Sequence, residues 1–287
     1  MDPLSSGTVT LFSNDGRKPL RSGDGRVLLR RRALLVATSL DEGGGVALRR
    51  AHVLSEVFSA RLHVVHVPPS SAQLVVHERA AQDEVLRWAA EEAGIVLARH
   101  TIEIDIGDPA TAIARAAKRT DAQLVVVGAP SAGDADAIAT VASLAGRLPP
   151  SSGLLVAHPP RTAGELVAAT DLRDAQFPVV KTAAHLADAL AARVTVVHNL
   201  ESEGPVLALA LENIADRLQE LERLANELDR VHAGRVSTTR TTAEAIADVA
   251  RSRDADIAVV GVRRGHGRTL LSLLGTATCS VLAIPLS

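Results

Sequence analysis

Short runs of consecutive apolar residues alternate along this chain with longer stretches whose apolar positions recur every three or four residues. The first pattern fits strands buried on both faces and the second fits helices lying on them, so the chain reads as α/β with parallel sheets. Apolar runs fall at 33–38, 62–67, 124–127 and 154–157, and again at 166–170, 194–198, 257–260 and 281–284. The stretches 102–106 and 236–239 read as outer strands. The spacing predicts helices over 46–58, with Leu48, Ala51, Leu54 and Val57 on one face, and over 74–93, 179–191, 207–231, 243–251 and 268–274. Within 207–231, Leu211, Ile214, Leu218, Leu221, Ala225 and Leu228 form a stripe read as core-facing, three heptads being too few to require a coiled-coil partner. Pro109, in the turn GDPA, opens a further helix where its missing N–H is tolerated.

The two sets of elements are copies. LLVATSL at 34–40 matches LVAATDL at 166–172, with Thr38 and Thr170 132 positions apart. ARLHVVHV and ARVTVVHN repeat that offset at 60 and 192, and PATAIAR/TAEAIAD and DAQLVVVG/DADIAVVG follow at 133. Four segments in one order with almost no drift mean one fold written twice. The expected domains are 31–158 and 165–287, joined by the linker PPRTAG at 159–164. Residues 1–30 read as a mostly flexible extension with strand character only at 8–12. Gly43, Gly44 and Gly45 read as a flexible turn ahead of the first helix.

Composition narrows the function. Trp88, Phe12, Phe58 and Phe177 are the whole aromatic set, so stacking platforms for single-stranded nucleic acid are missing. A net charge of −2 leaves no phosphate-backbone footprint. The single cysteine, Cys279, rules out an intrachain disulfide and points to a reducing cytoplasm. No apolar run approaches the ~18 residues that span a bilayer. His66 and His198 each end a strand in a different copy and read as packed core residues rather than a metal pair, so no metal site is expected.

Open parallel sheets bind ligands beyond the carboxyl ends of their strands. That rule gathers Thr38, Ser39, Val67 and Gly128 in one half, and Ala169, Thr170, Asp171, Asn199 and Gly261 in the other. At these residues, and at GDPATAI and VAATDLRDAQFPV, the chain resembles the universal stress protein family over two tandem copies. The resemblance implies two doubly wound, Rossmann-like, five-stranded parallel sheets of order 3-2-1-4-5, of the adenine-nucleotide α-hydrolase-like kind. It also implies ATP or AMP as ligand. In nucleotide-binding members an Asp ending the first strand accepts from the adenine amino group, and a loop of pattern G-x2-G-x9-G-S/T cradles the phosphates at a helix start. Carried over, Asp171 contacts the base and Asn199 lines it, whereas the first half has Ser39 in place of the Asp and Val67 as the lining residue. Gly128 and Gly133 belong to the first phosphate loop, which closes near 140–142, and Gly261, Gly265 and Gly267 to the second.

Gly128 to Gly153 spans 25 positions and Gly261 to Ser280 only 19, which reads as a six-residue cut in the second phosphate loop. Leu270, Leu273 and Leu274 make 268–274 the helix itself rather than part of that loop. The basic residues Arg263, Arg264, His266 and Arg268 read as a solvated loop. The expectation is a non-enzymatic stress-response protein with weak or one-sided adenine-nucleotide binding, acting through an unidentified protein partner. A slow ATP hydrolase or nucleotide-transferring enzyme, and a ligand-free scaffold, are the alternatives. Pairing of the two last strands, 154–157 and 281–284, is expected to make the chain an intramolecular pseudo-dimer, with a homodimer of such chains also compatible.

Overall fold

The computed structural model describes residues 8–13, 33–68, 78–131, 133–174, 176–200, 205–237, 241–263 and 268–286. A short strand, β1 (Thr8–Ser13), comes first. The first half then contains β2 (Ala33–Thr38), α1 (Glu42–Phe58), β3 (Arg61–His66), α2 (Glu78–Glu92), β4 (Ile102–Ile104), α3 (Pro109–Thr120), β5 (Ala122–Gly128), α4 (Ala135–Arg147) and β6 (Gly153–Ala157). The second contains β7 (Glu165–Ala169), α5 (Pro178–Ala189), β8 (Arg193–Asn199), α6 (Pro205–Glu227), β9 (Val231–Ser237), α7 (Thr242–Ser252), β10 (Ile257–Arg263), α8 (Arg268–Leu274) and β11 (Ser280–Leu286).

All strands form one sheet in the order β1-β9-β8-β7-β10-β11-β6-β5-β2-β3-β4. Each half is parallel and has the order 3-2-1-4-5. The halves meet through β6 and β11, which pair antiparallel with Val281 opposite Val156, Leu282 opposite Leu155 and Ala283 opposite Leu154. That register is symmetric about Leu155 and Leu282, so the expected pseudo-dimer is present and both last strands lose their exposed edge. Alternation along β2 sends Leu34 and Val36 to one face and Leu35 to the other, where they join two apolar layers that each run through both halves. The α6 stripe faces the core, with Leu221 and Ala225 buried and Leu218 and Leu228 packed beside them.

Several boundaries differ from the sequence pattern. Helix α6 stops at Glu227 and β9 starts at Val231, five residues before the expected strand. Val231 N–H closes a tight turn onto the Leu228 carbonyl at 3.1 Å, and Val194 N–H already bonds the Arg230 carbonyl at 2.8 Å. Helix α1 starts four residues early, because Asp41 Oδ1 accepts from Gly44 N–H at 2.7 Å and caps it. Gly43–45 are therefore its first turn, not a flexible connection. Strand β1 lies where the sequence has strand character, but it pairs antiparallel with β9 of the second half.

A buried polar clamp crosses between the halves. Arg50 of α1 donates to both carboxylate oxygens of Asp256 at 2.7 and 2.6 Å, and to Ser280 Oγ at 3.2 Å. Arg161 N–H adds a bond to Asp256 Oδ1 at 2.8 Å, fixing the connecting segment to the same carboxylate.

Candidate functional site

The two halves begin their sites identically. Thr38 Oγ1 and Thr170 Oγ1 each accept, at 3.1 Å, from the amide of a leucine two residues on. Those leucines, Leu40 and Leu172, have φ of 59° and 57°, so each strand ends in the same sharp turn. His66 Nδ1 and His198 Nδ1 lie 2.8 Å from the carbonyls of Thr38 and Thr170. The histidines thus lock the first strand's end to the second, as the core reading expects, with Nδ1 the donor. Burial lowers the His198 value despite the Thr170 carbonyl and the Asp171 charge, which favour the proton.

Beyond this turn the halves part. In the first, the added turn of α1 comes down onto the strand ends. A Cβ on Gly128 would stand 2.6 Å from the Gly43 carbonyl oxygen, and one on Gly44 would stand 2.5 Å from Thr38 Oγ1. Helix backbone therefore covers Gly128, while Ser39 is exposed and Val67 is half-buried against the apolar layer. Gly133 has φ of 84° and open space around it, two residues before α4. The start of α4 is occupied by its own acid: Asp134 accepts from Ala137 N–H at 2.9 Å, and Asp136 follows. Residues 140–142, the expected close of the loop, lie inside α4. Carboxylates at the starts of α1, α3 and α4 already hold the positive helix ends that an anion would use.

In the second half α5 starts only at Pro178, four positions later than α1 would place it, and its N-cap Phe177 offers no side-chain hydrogen bond. The loop in place of that turn leaves a cavity of about 920 Å³, near the upper end of the roughly 300–1,000 Å³ usual for small-molecule sites. Ala169, Thr170, Asp171, His198, Asn199 and Gly261 all line it, together with Arg173, Arg217, Thr242, Arg263 and Leu286. Asp171 is half-exposed; Oδ1 accepts from Arg173 N–H at 3.0 Å, and Oδ2 lies 3.6 Å from Arg263 Nη2. The carboxylate thus organises its own turn and still presents a charged edge to the cavity. Arg263 Nε is buried without a hydrogen-bond partner. A Cβ on Gly261 would stand 2.5 Å from Leu286 Cδ1, so the last turn of β11 forms one wall.

Gly265 and Gly267 lie outside the described residues, but the length of their loop is fixed. Gly128 to Ala135 and Gly261 to Arg268 are each seven positions, whereas α4 has 13 residues and α8 has 7. The six-residue difference is in the helix, and the span from Gly261 to the start of α8 is not shortened. Glycine spacing misplaced the cut because a shorter helix and a shorter loop give the same count. Arg173 and Arg217 escaped the sequence reading. Arg173 follows Asp171 directly and had a positional signal, whereas Arg217 sits on the polar side of a long helix and had none. Among the described residues no three His, Cys, Asp or Glu side chains converge as a metal site requires, and no helix is long and apolar enough to cross a membrane.

Two parallel α/β units of the same strand order, joined through their fifth strands and with an open cavity at the strand ends of the second, define a tandem doubly wound protein. The model of the Universal stress protein family matches twice, over residues 30–145 and 164–285, and the chain belongs to that family. Its fold is similar to a functionally unknown protein from Pseudomonas aeruginosa PAO1, with a TM-score of 0.64, 18% identity, and coverage of 90% of this chain and 94% of that one. A universal stress protein from Archaeoglobus fulgidus DSM 4304 aligns at a TM-score of 0.64 with 15% identity, covering 90% of this chain and 98% of that one. A putative universal stress protein from Pseudomonas aeruginosa UCBPP-PA14 aligns at 0.62 with 17% identity, covering 90% and 94%. No curated protein matches the sequence.

Proposed function

We propose that this tandem universal stress protein binds an adenine nucleotide in its second half only, and acts in the cytoplasm by presenting the bound state to a protein partner rather than by catalysis. The observation that carries the reading is the asymmetry: helix backbone covers Gly128, while a large cavity stands open at Asp171. Asp171 accepts from the exocyclic amino group of adenine, which guanine lacks at that position. Arg217, on the cavity wall, takes the phosphates, while Arg263 stays beside the Asp171 carboxylate at the base end. Because the loop is full length, phosphates add to affinity, and ATP binds more tightly than AMP.

Calorimetric titration of AMP, ATP and GTP against the parent and Asp171→Asn proteins tests this. Asn keeps the shape but can turn its amide donor toward the base, so the substitution should cost about 1–2 kcal/mol of adenine affinity and narrow the gap between ATP and GTP. Equal ATP binding by both proteins would remove Asp171 from the site. Absence of binding would favour the ligand-free scaffold, and steady phosphate release would favour a hydrolase.

A further inference from the structure

A second cavity, of about 610 Å³, opens where the two halves join. The first half supplies one face of α4 and the turn into β6; the second supplies the end of β11, Leu270 of α8 and Pro178 at the start of α5. Its volume is within the roughly 300–1,000 Å³ usual for small-molecule sites. Ala142, Ala145 and Gly146 stand at i, i+3 and i+4, so α4 presents only small residues to this wall. Gly146 lies inside the helix, where glycine is less favourable than alanine, yet a Cβ added there would meet nothing within 4 Å. Packing against a neighbour therefore does not demand the glycine, and the space in front of it belongs to the cavity.

The pseudo-twofold repeats this corner at the other end of the β6–β11 pair, and there the chain itself fills it. After β6 the backbone passes over the turn between α8 and β11. His158 N–H donates to Ser280 Oγ at 3.1 Å, Arg161 N–H to Asp256 Oδ1 at 2.8 Å, and the Arg161 guanidinium to the Thr278 carbonyl at 2.8 Å. The open corner lacks those polar partners. Gly153 opposes Leu124 as Ser280 opposes Ile257, and Gln123 stands where Asp256 would be. Its turn carries Leu148, Pro149 and Pro150, and neither proline has an N–H. Ser152 spends its hydroxyl on the Ala122 carbonyl at 2.6 Å and its N–H on the Pro149 carbonyl at 2.9 Å. Among the described residues only Asp174 and Arg263 bring charge to this wall. Asp174 Oδ1 already accepts from Gln176 N–H at 2.9 Å, and Arg263 lies 3.6 Å from Asp171.

We propose that this junction cavity is a binding site for a small, uncharged apolar molecule. A charged ligand would give up its hydration against apolar walls and meet one like charge for each opposite one, whereas an apolar ligand loses only its contact with water. Apolar protein cavities take up hydrocarbons such as benzene on this basis. Pro178, Val262, Arg263, Leu270 and Leu286 line both this cavity and the one at Asp171, so an occupant touches the wall that the two share. The site does not depend on the nucleotide reading.

Thermal unfolding and calorimetry of the full chain with butylbenzene, 4-phenylbutyrate and 4-phenylbutylamine test the site. Butylbenzene should bind and raise the melting temperature, and each charged analogue should bind at least about tenfold more weakly. Gly146→Phe and Ala145→Leu put side chains into the cavity. Each should weaken butylbenzene at least about tenfold, the worth of about two buried methylene groups. Gly146→Phe should melt no lower than the parent, because nothing stands within 4 Å of a Cβ at that position. Arg217→Ala, on the wall of the other cavity alone, should bind butylbenzene as the parent does. Loss of binding in either filling variant that still melts cooperatively upholds the site. A parent that does not respond to butylbenzene, a response kept by both filling variants, a response lost in Arg217→Ala, or equal binding of a charged analogue would overturn it.

Discussion

His198 holds the carbonyl of Thr170 through Nδ1 at 2.8 Å, and this bond fixes the turn that carries Asp171. Because burial lowers the value of the His198 imidazole below its ordinary 6.5, the folded chain takes up that proton only at lower pH than the unfolded chain does. The unfolded state therefore binds more protons in between. Stability from this group is complete above about pH 6.5 and is lost as pH falls through the folded value. Burial shifts His158 and His232 in the same direction. The melting temperature should therefore fall between about pH 7.5 and about pH 5. His198→Asn keeps a donor for the carbonyl and removes one titration, so its melting curve should depend less on pH; an unchanged slope would show that His198 does not contribute.

How much of this was readable in advance depends on how local each cause is. Apolar runs and the 132-residue offset placed the strands of both copies, since burial on both faces writes itself directly into sequence, whereas the order 3-2-1-4-5 came from the family resemblance. The pairing of β6 with β11 was implied by the family resemblance, and covering two equivalent edges agrees with it. What the sequence hid was packing between distant backbones. Nothing local marks Gly43 as lying against Gly128, so three glycines that permit close approach read as a loop. The clamp of Arg50 on Asp256 joins residues 206 positions apart and has no counterpart in the repeat, because Gln123 stands where Asp256 would be.

That clamp yields a second expectation. Arg50 and Asp256 are about nine-tenths buried and bonded in both guanidinium–carboxylate contacts, so deleting one partner strands the other charge inside the junction of the halves. Arg50→Ala or Asp256→Ala should each cost about 3–5 kcal/mol in urea unfolding, while the double variant should cost much less than the sum. Additive losses would mean that the two side chains act separately.

Cys279 lies in the apolar layer just before β11, and burial pushes its thiol up to about 11. A protonated, enclosed thiol is a poor nucleophile. Ellman's reagent should leave the native protein untouched and label it fully in denaturant, at a rate in intermediate urea that follows unfolding. Rapid labelling of the native chain would show that the β11 end opens on its own.

Gly128 and Gly261 hold equivalent positions, the first ending β5 and the second two residues before the end of β10, yet a methyl group added to each meets different matter. At Gly128 it strikes the backbone of Gly43 in the first turn of α1, held by the Asp41 cap, and the helix cannot yield without losing that cap. At Gly261 it strikes the tip of the Leu286 side chain, which can rotate away at the edge of the cavity. Gly128→Ala should therefore destabilise the protein by about 1–3 kcal/mol, as overpacking does, and leave nucleotide binding in the second half unchanged. Gly261→Ala should cost under about 1 kcal/mol in stability but displace Leu286 into the cavity and weaken nucleotide binding. Paired urea unfolding and calorimetry on both variants separate the two effects. Equal stability losses, or a binding defect in Gly128→Ala, would mean that the first half's strand ends are less tightly closed than the approach of Gly43 indicates.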